Sequence, residues 1–229
     1  MSLFGPAWAD HTSQIARNWR SLVAKEDLVL IAGDISWALR PEEAKADLEW
    51  IDALPGKKLL IKGNHDYWWP SSKKLQALLP PTISFIYNSA FHWNDVSIGG
   101  ARLWDTEEYS FGVFADYKPN PKKNQESPPP KEEGERIFQR ELERLELSLK
   151  QMDRHAKHKI AMTHYPPIGA NLAPSRASSL LEHYGIDTVI FGHLHSLKKE
   201  SLPLFGTARG VRYILTSCDL IDFTPIRIL

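Results

Sequence analysis

Four short apolar runs of this chain each end in a polar corner, and this pattern restricts the fold more than any other feature. The runs begin at Leu28, Leu59, Ile160 and Thr188, and most of their side chains are aliphatic. Continuous runs of this length are typical of strands that are covered on both faces, as in a parallel sheet. Pro41 opens a segment with helical periodicity between the first two runs, which indicates a βαβ unit. The sequence therefore predicts an α/β fold.

The corners that follow these runs carry oxygen and imidazole side chains, namely Asp34, Asn64, His164, His193 and His195. Ligand sites in parallel sheets lie at the carboxyl ends of the strands, so we expect these side chains to share one edge. Carboxylate, amide and imidazole donors without a thiolate favour manganese, iron or zinc over calcium or magnesium. An extended backbone would turn His193 and His195 to the same side, whereas a curving loop would direct them to two different cations.

A glycine precedes the polar residues in three of the corners, at Gly33, Gly63 and Gly192. Glycine adopts backbone angles that other residues avoid. We therefore expect each of these glycines to turn the chain sharply, so that the next side chain faces the site.

The remaining pattern predicts a single domain over residues 1–229, because a chain of this length supports one good core. Helices are predicted at 11–24, 41–54, 71–79, 136–155 and 174–184, and strands between 83 and 103, at 213–217 and at 224–229. Asn94-Asp95 is predicted as a hairpin turn. Residues 105–135, rich in Pro, Lys and Glu at their centre, are predicted to be a mobile surface insert, with a lid over the site as the alternative.

Composition excludes several classes of protein. Acidic and basic side chains balance at 28 each, so no net field attracts nucleic acid or an anionic membrane. The longest apolar runs fall far short of the roughly 20 residues that a membrane-spanning helix needs. The single cysteine, Cys218, cannot form an internal disulfide, which fits a reducing compartment. We therefore expect a cytoplasmic protein without a membrane partner, and a nucleic-acid partner is disfavoured.

The corner motifs, taken in their order along the chain, resemble those of the calcineurin-like metallophosphoesterase superfamily. The motifs are Gly33-Asp34, Gly63-Asn64-His65-Asp66, His164-Tyr165-Pro166-Pro167 and Gly192-His193-Leu194-His195. The resemblance extends from Leu28 to the C-terminus. It implies a two-sheet β-sandwich flanked by helices, in four α/β/β/α layers, with a site for two divalent metal ions.

The resemblance also implies roles for single residues. Asp34 would bridge the two metal ions, Asn64, His164 and His193 would complete the first, and His195 would belong to the second.

His65 would be the histidine that assists the leaving oxygen without binding metal, and Asp66 would orient it. The pKa of a histidine suits an acid role near neutral pH.

The sequence departs from this family at its start. Members open with a strand that ends in Asp-x-His and supplies two ligands, and no such strand precedes Leu28. Asp10 and His11 are adjacent and follow no apolar run, so we interpret them as residues that start a helix. One metal site should then bind well, whereas the second, left with Asp34 and His195, should be weak or vacant. Either the natural start lies upstream, or the protein is a short form with reduced or altered function.

The predicted activity is hydrolysis of a phosphate mono- or diester by metal-activated water, with a small phosphorylated substrate and manganese or iron, or else zinc, as the cofactor. The alternative is a catalytically weak metal-binding scaffold or interaction module of the same fold. A nuclease is a third class, and the zero net charge argues against it.

Several residues have both a packing and a functional interpretation. Trp68 and Trp69 are predicted to pack, with a place in the substrate cleft as the alternative. Arg102 is predicted at the surface, with a phosphate contact as the alternative. Cys218 is predicted to be a small buried group and not a nucleophile.

Overall fold

Helices and strands alternate along most of the chain. The computed structural model describes residues 8–115, 130–198, 201 and 204–229. In these residues the helices are α1 (His11–Leu22), α2 (Pro41–Asp52), α3 (Ser72–Leu78), α4 (Lys131–Leu149) and α5 (Arg176–His183). The strands are β1 (Leu28–Ile31), β2 (Lys57–Leu60), β3 (Ile83–Phe85), β4 (Phe91–Trp93), β5 (Val96–Ala101), β6 (His158–Thr163), β7 (Thr188–Phe191), β8 (Thr207–Ala208) and β9 (Val211–Leu215).

The strands form two sheets. The first has the order β1-β2-β3 and is parallel throughout, with Leu30 opposite Leu59. The second has the order β4-β5-β6-β7-β9-β8, in which the inner strands are parallel and the two edge strands are antiparallel. The four apolar runs are β1, β2, β6 and β7, so their prediction as parallel strands is confirmed.

The two sheets pack face to face. Leu59 of the first sheet and Ile61, directly after β2, share one buried cluster with Ile98, Ile160 and Ile190 of the second sheet. Burying a side chain of this size stabilises the fold by roughly 1.5–3 kcal/mol. The sandwich interior is therefore aliphatic, and its strands have apolar side chains on both faces because helices cover the outer faces as well.

Helices form the two outer layers. Leu48 of α2 and Leu75 of α3 are fully buried against the first sheet. Phe138 of α4 and Leu181 of α5 are fully buried against the second sheet, in a cluster that includes Val189. The predicted four-layer α/β/β/α sandwich is therefore confirmed.

Strand β1 lies at an edge of its sheet, and all four of its residues are only partly buried. Beside it is a cavity of about 2590 Å³ that is also lined by Trp19, Ile160, Ile190 and residues 224–229. Within the described residues, which begin at residue 8, no strand precedes β1. The sandwich interior is thus open along this edge, and the opening continues to Asp34 at the carboxyl end.

Some element boundaries differ from the predictions. Helix α4 begins at Lys131, with Glu132 and Glu133 favourably placed in its first turn, and ends at Leu149. Residues 131–135 of the predicted insert therefore belong to this helix, and its residues 116–129 lie outside the described part of the chain. The prediction of a strand at residues 224–229 is wrong, because these residues pair into neither of the described sheets.

The hairpin prediction is confirmed. Trp93 pairs with Val96 across a turn in which Asn94 has a φ of 51°.

Among the described helices none has both the length and the apolar composition that crossing a bilayer requires.

Candidate metal centre

Four of the predicted ligands meet at the carboxyl ends of the strands. Asp34 follows β1, Asn64 follows β2, His164 follows β6 and His193 follows β7. The Asn64 Oδ1 atom lies 2.7 Å from His164 Nε2 and 3.0 Å from His193 Nδ1. The two imidazole nitrogens are 3.3 Å apart, and Asp34 Oδ2 is 3.6 Å from His164 Nε2. Residues from both sheets therefore surround one point.

The hydrogen bonds of His164 determine which of its nitrogens faces that point as an acceptor. Its Nδ1 atom lies 2.8 Å from the carbonyl oxygen of Ala32, which can only accept, so Nδ1 carries the proton. Nε2 then has a lone pair and faces Asn64 Oδ1 and Asp34 Oδ2, which are acceptors too. Acceptors at these distances repel each other unless a cation lies between them. This donor set fits a divalent metal ion.

Burial keeps both imidazoles neutral. It lowers the pKa of His164 to about 3, and it lowers the pKa of His193 to about 3 with a further contribution from the neighbouring His164. Neutral imidazole is the form that binds metal. At neutral pH both side chains are therefore ready to act as ligands without first losing a proton.

The described residues contain no group of three or more His, Cys, Asp or Glu side chains that by themselves could hold a metal ion. The cluster depends on the amide oxygen of Asn64, which lies within hydrogen-bonding distance of both imidazoles. A metal here would need Asn64 as an equal ligand, together with Asp34, His164 and His193.

At two of the three corner glycines, neighbouring atoms lie so close to the backbone that no side chain fits. Gly33 has a φ of 96°, and a Cβ atom on it would lie 2.6 Å from His164 Nδ1. A Cβ atom on Gly63 would lie 2.1 Å from Asp34 Oδ1. Neither Gly63 nor Gly192 has a positive φ, so the expected special backbone angle is present only at Gly33, and a Cβ atom on Gly192 would make ordinary contacts. In that corner His193 itself adopts the left-handed conformation, with a φ of 69°.

Asp66 fixes the corners to one another. Its fully buried carboxylate accepts hydrogen bonds from the backbone N–H groups of Asp34, Ile35, Ser36 and Gly63 at 2.7–3.0 Å, and from Trp68 Nε1 at 2.9 Å. Burial raises the pKa of Asp66, and these donors oppose that effect by stabilising the carboxylate.

That Asp66 orients the His65 ring stays a prediction. What Asp66 holds is the backbone of the two corners that carry Asp34 and His65. The backbone N–H of His65 in turn donates to Asp34 Oδ1 at 2.9 Å. Asp66 thus acts on His65 through the position of the loop.

His195 lies near the cluster and has a partner that the motifs did not reveal. An electrostatic contribution from His195 is among the causes that lower the pKa of both His164 and His193. The His195 Nδ1 atom is 2.7 Å from Asp219 Oδ1, and Asp219 Oδ2 accepts from the backbone N–H of Ser196 at 2.8 Å. A carboxylate on one nitrogen leaves the other available as a metal ligand.

Asp219 and Trp37 are the residues at this edge that sequence reasoning missed. Asp219 lies four residues beyond β9, which is also a parallel strand, so the rule applied to the other corners would have found it. Trp37 lies in the corner after Asp34, and its ring stacks on His65 with centroids 4.3 Å apart. An exposed aromatic residue in a loop has no signature in a single sequence.

For the residues that had both a packing and a functional interpretation, the degree of burial distinguishes the two. Trp68 and Trp69 are buried in the cluster under the first sheet, so the packing interpretation is confirmed. Arg102 is partly buried, 3.4 Å from Glu141 and 4.7 Å from the ring of Trp104, so its prediction at the surface is wrong. Cys218 is only partly exposed, and burial raises the pKa of its thiol to about 11, which makes it a poor nucleophile.

Part of the chain is similar in sequence to two curated proteins. The chain is 40% identical over 70 residues to the gene 66 protein of Mycobacterium phage L5, which is 31% of this chain and 33% of that protein. It is 46% identical over 61 residues to the gene 66 protein of Mycobacterium phage D29, which is 26% of this chain and 30% of that protein. The aligned part thus spans about a third of these curated relatives.

Two crystal structures resemble the chain over most of its length. The TT1561 protein of Thermus thermophilus is 12% identical with a TM-score of 0.50, covering 92% of this chain and 84% of that one. The AQ665 protein of Aquifex aeolicus, described as a protein of unknown function, is 16% identical with a TM-score of 0.46, covering 95% and 81%. The first of these likenesses supports the fold.

The sequence profile of the calcineurin-like phosphoesterases matches residues 8–197, which contain all four corner motifs. The match covers well over half of the chain, and the fold and the edge cluster are those that the corner motifs led us to expect. The chain therefore belongs to the calcineurin-like phosphoesterase family.

Proposed function

We propose that this protein is a metal-dependent phosphoesterase that hydrolyses a small phosphate mono- or diester with metal-activated water. The observation that carries the proposal is the cluster of acceptors around one point, in which neutral, buried imidazoles face an amide oxygen and a carboxylate. A divalent cation would be well held by atoms of this kind, and the family of the chain is one of phosphoesterases.

Asp34, Asn64, His164 and His193 would hold the first metal ion, and Asp34 and His195 would contribute to a second, weaker site. The donor set of oxygen and nitrogen atoms without sulfur favours manganese or iron, with zinc also compatible. When bound, the metal supplies a Lewis acid that polarises a phosphoryl oxygen and lowers the pKa of a water molecule.

The side chains of this protein would position the reacting groups and supply a proton to the leaving oxygen. The stack on Trp37 and the backbone hydrogen bond to Asp34 hold His65 at the edge of the cluster. From there its imidazole would donate a proton to the leaving oxygen or stabilise its charge. Asp66 would keep the two corners at a constant separation, and Asp219 would hold the His195 ring in one orientation.

We further propose a cytoplasmic setting and a small phosphorylated substrate. A lone thiol that is mostly buried suits a reducing compartment. The balanced charge of the chain supplies no field for a nucleic-acid backbone, so long polynucleotides are poor candidates.

The test is hydrolysis of p-nitrophenyl phosphate and of bis-p-nitrophenyl phosphate by protein that was first stripped of metal with a chelator and then loaded with Mn²⁺. Release of p-nitrophenol should require the metal, should be abolished in Asn64→Ala and should fall about 10²- to 10⁴-fold in His65→Ala. His155→Ala, which removes an exposed histidine, is the matched control and should retain the parent activity. Metal-independent release, or equal rates in all four proteins, would refute the proposal.

The second candidate function is a metal-binding scaffold, and the cavity beside β1 favours it because the interior of the sandwich is open there. The same proteins separate the two functions. Tight Mn²⁺ binding in calorimetry that is lost in Asn64→Ala, with no turnover of either ester, would support the scaffold.

A further inference from the structure

Three basic side chains gather around one carboxylate beside the metal centre. Lys62 follows β2 by two residues, Arg102 directly follows β5, and Arg144 lies on α4. Glu141 Oε1 is 3.4 Å from Arg102 Nη2 and 3.6 Å from Arg144 Nε. The ammonium of Lys62 is within electrostatic range of both guanidinium groups and of Glu141. We call Lys62, Arg102 and Arg144 the basic cluster.

The basic cluster has more donors than the described residues satisfy. Arg102 donates one long hydrogen bond to Glu141, at 3.4 Å, and the buried Nε atom of Arg144 has no partner among the described residues. For the Lys62 ammonium the described residues supply neither a hydrogen bond nor an ion pair. Asp66 also acts on Lys62, but its oxygens already accept from five donors. Three partly buried positive charges thus face one paired carboxylate, an imbalance that an anion would relieve.

Both guanidinium groups are held on aromatic rings. The Arg102 guanidinium lies 4.7 Å from the ring centroid of Trp104, and that of Arg144 lies 4.8 Å from the ring centroid of Tyr87. Stacking of this kind fixes the plane of a guanidinium and leaves the N–H groups at its edge for an acceptor. Those N–H groups match the spacing of two oxygens of a phosphate or a carboxylate. The basic cluster is therefore organised in advance for an oxyanion.

The basic cluster adjoins the metal centre without being part of it. The carbonyl oxygen of Arg102 accepts from the backbone N–H groups of His164 and Tyr165 at 3.1 and 3.0 Å. The ring of Trp104 contacts that of Tyr165, which lies on His193 with centroids 4.0 Å apart. The guanidinium of Arg102 itself is directed toward α4, where it meets the carboxylate. An anion bound there would be a neighbour of a group on the metal and not that group.

We propose that the basic cluster binds a second anionic group of the substrate. The substrate would then be a small phosphate ester that carries a further phosphate or carboxylate. This inference rests on the proposed function, which places the reacting phosphate at the metal. An oxyanion among the three side chains would give each of them an acceptor and would offset the unpaired positive charge. Each hydrogen bond between charged groups changes affinity by about 10- to 100-fold.

The first experiment compares three phosphonates that cannot be hydrolysed and that share one chain length. Propylphosphonate, 3-phosphonopropionate and propane-1,3-bisphosphonate are titrated by calorimetry into the Mn²⁺-loaded protein. The parent should bind one or both of the compounds with a second anion at least about 10-fold more tightly than propylphosphonate. The tighter of the two identifies a carboxylate or a phosphate as the second group. Arg102→Met and Lys62→Met should remove the preference.

The second experiment measures the anion site without the metal. Inorganic phosphate is titrated into metal-free protein at constant ionic strength. Arg102→Met and Lys62→Met should weaken binding at least about 10-fold, whereas Glu141→Gln, which removes the competing carboxylate, should strengthen it. Lys73→Met, which removes an exposed ammonium on α3, is the matched control and should bind phosphate like the parent.

The anion site and the hydrolytic activity fail separately. Equal affinities for the three phosphonates, no phosphate binding by the metal-free parent, or a preference that survives in Arg102→Met would overturn the anion site even if the protein hydrolyses esters. Phosphate binding that is lost in Arg102→Met and Lys62→Met, without any ester hydrolysis, would uphold the anion site and refute the phosphoesterase. If the basic cluster served only to attach α4, Arg102→Met would lower the unfolding midpoint and keep the parent affinity for phosphate, which would also overturn the proposal.

Discussion

Replacing Asp66 by asparagine should destabilise the fold severely, although the two side chains have nearly the same shape. Oδ2 of Asp66 accepts from two backbone N–H groups, those of Asp34 and Gly63, and Oδ1 accepts from three donors. Whichever oxygen becomes an NH₂ group, at least two buried donors lose their acceptor. Each unsatisfied buried donor costs about 1–3 kcal/mol, so we expect a loss of about 2–6 kcal/mol in the free energy of unfolding. The total for a domain is only about 5–15 kcal/mol.

Urea denaturation followed by tryptophan fluorescence measures this loss. With a slope of about 2–3 kcal/mol per molar urea, the midpoint for Asp66→Asn should fall by about 0.7–3 M. Asp95→Asn is the control, because its exposed carboxylate makes only a 3.7 Å ion pair with Lys157, and its stability should change by less than about 1 kcal/mol. In native-state hydrogen exchange the amides of Asp34 and Gly63 should lose protection in Asp66→Asn. A variant within about 1 kcal/mol of the parent, with these amides still protected, would refute the reasoning.

Three further outcomes follow from the site. Asp219→Asn should weaken Mn²⁺ binding at the second site by about 10- to 100-fold in calorimetry, with little change in the unfolding midpoint, because the carboxylate orients His195. Gly33→Ala should lower metal affinity and stability together, since its Cβ atom would lie 2.6 Å from His164 Nδ1; parent-like affinity would contradict this. For metal-free protein the free energy of unfolding should fall below pH 6.5, because His164 and His193 stay neutral down to a pKa of about 3 in the fold and take up protons only when unfolded. Urea titrations between about pH 7 and 5 should show a loss of about 2 kcal/mol for each histidine, with the slope approaching about 1.4 kcal/mol per pH unit toward pH 5, and a flat profile would argue against their burial.

The parallel strands could be predicted because their signal is local. A run such as residues 28–31 or 188–191 is apolar on both faces, and that pattern has one common explanation, a parallel strand inside layers. The polar residues that follow are then delivered to one edge by the geometry of parallel sheets. For this reason Asp34, Asn64, His164 and His193 could be named in advance.

The tertiary structure decided what depends on contacts between distant parts of the chain. The proton on His164 is located by the carbonyl of Ala32, 132 positions away, and the five donors to Asp66 come from two separate loops. Asp219 became a partner of His195 only when β9 brought it to the same edge. Residue type and spacing along a chain determine which elements form and which end of each carries polar groups. Tautomers, depressed pKa values and hydrogen-bond partners depend on atoms that meet only after folding, so only the folded chain decides them.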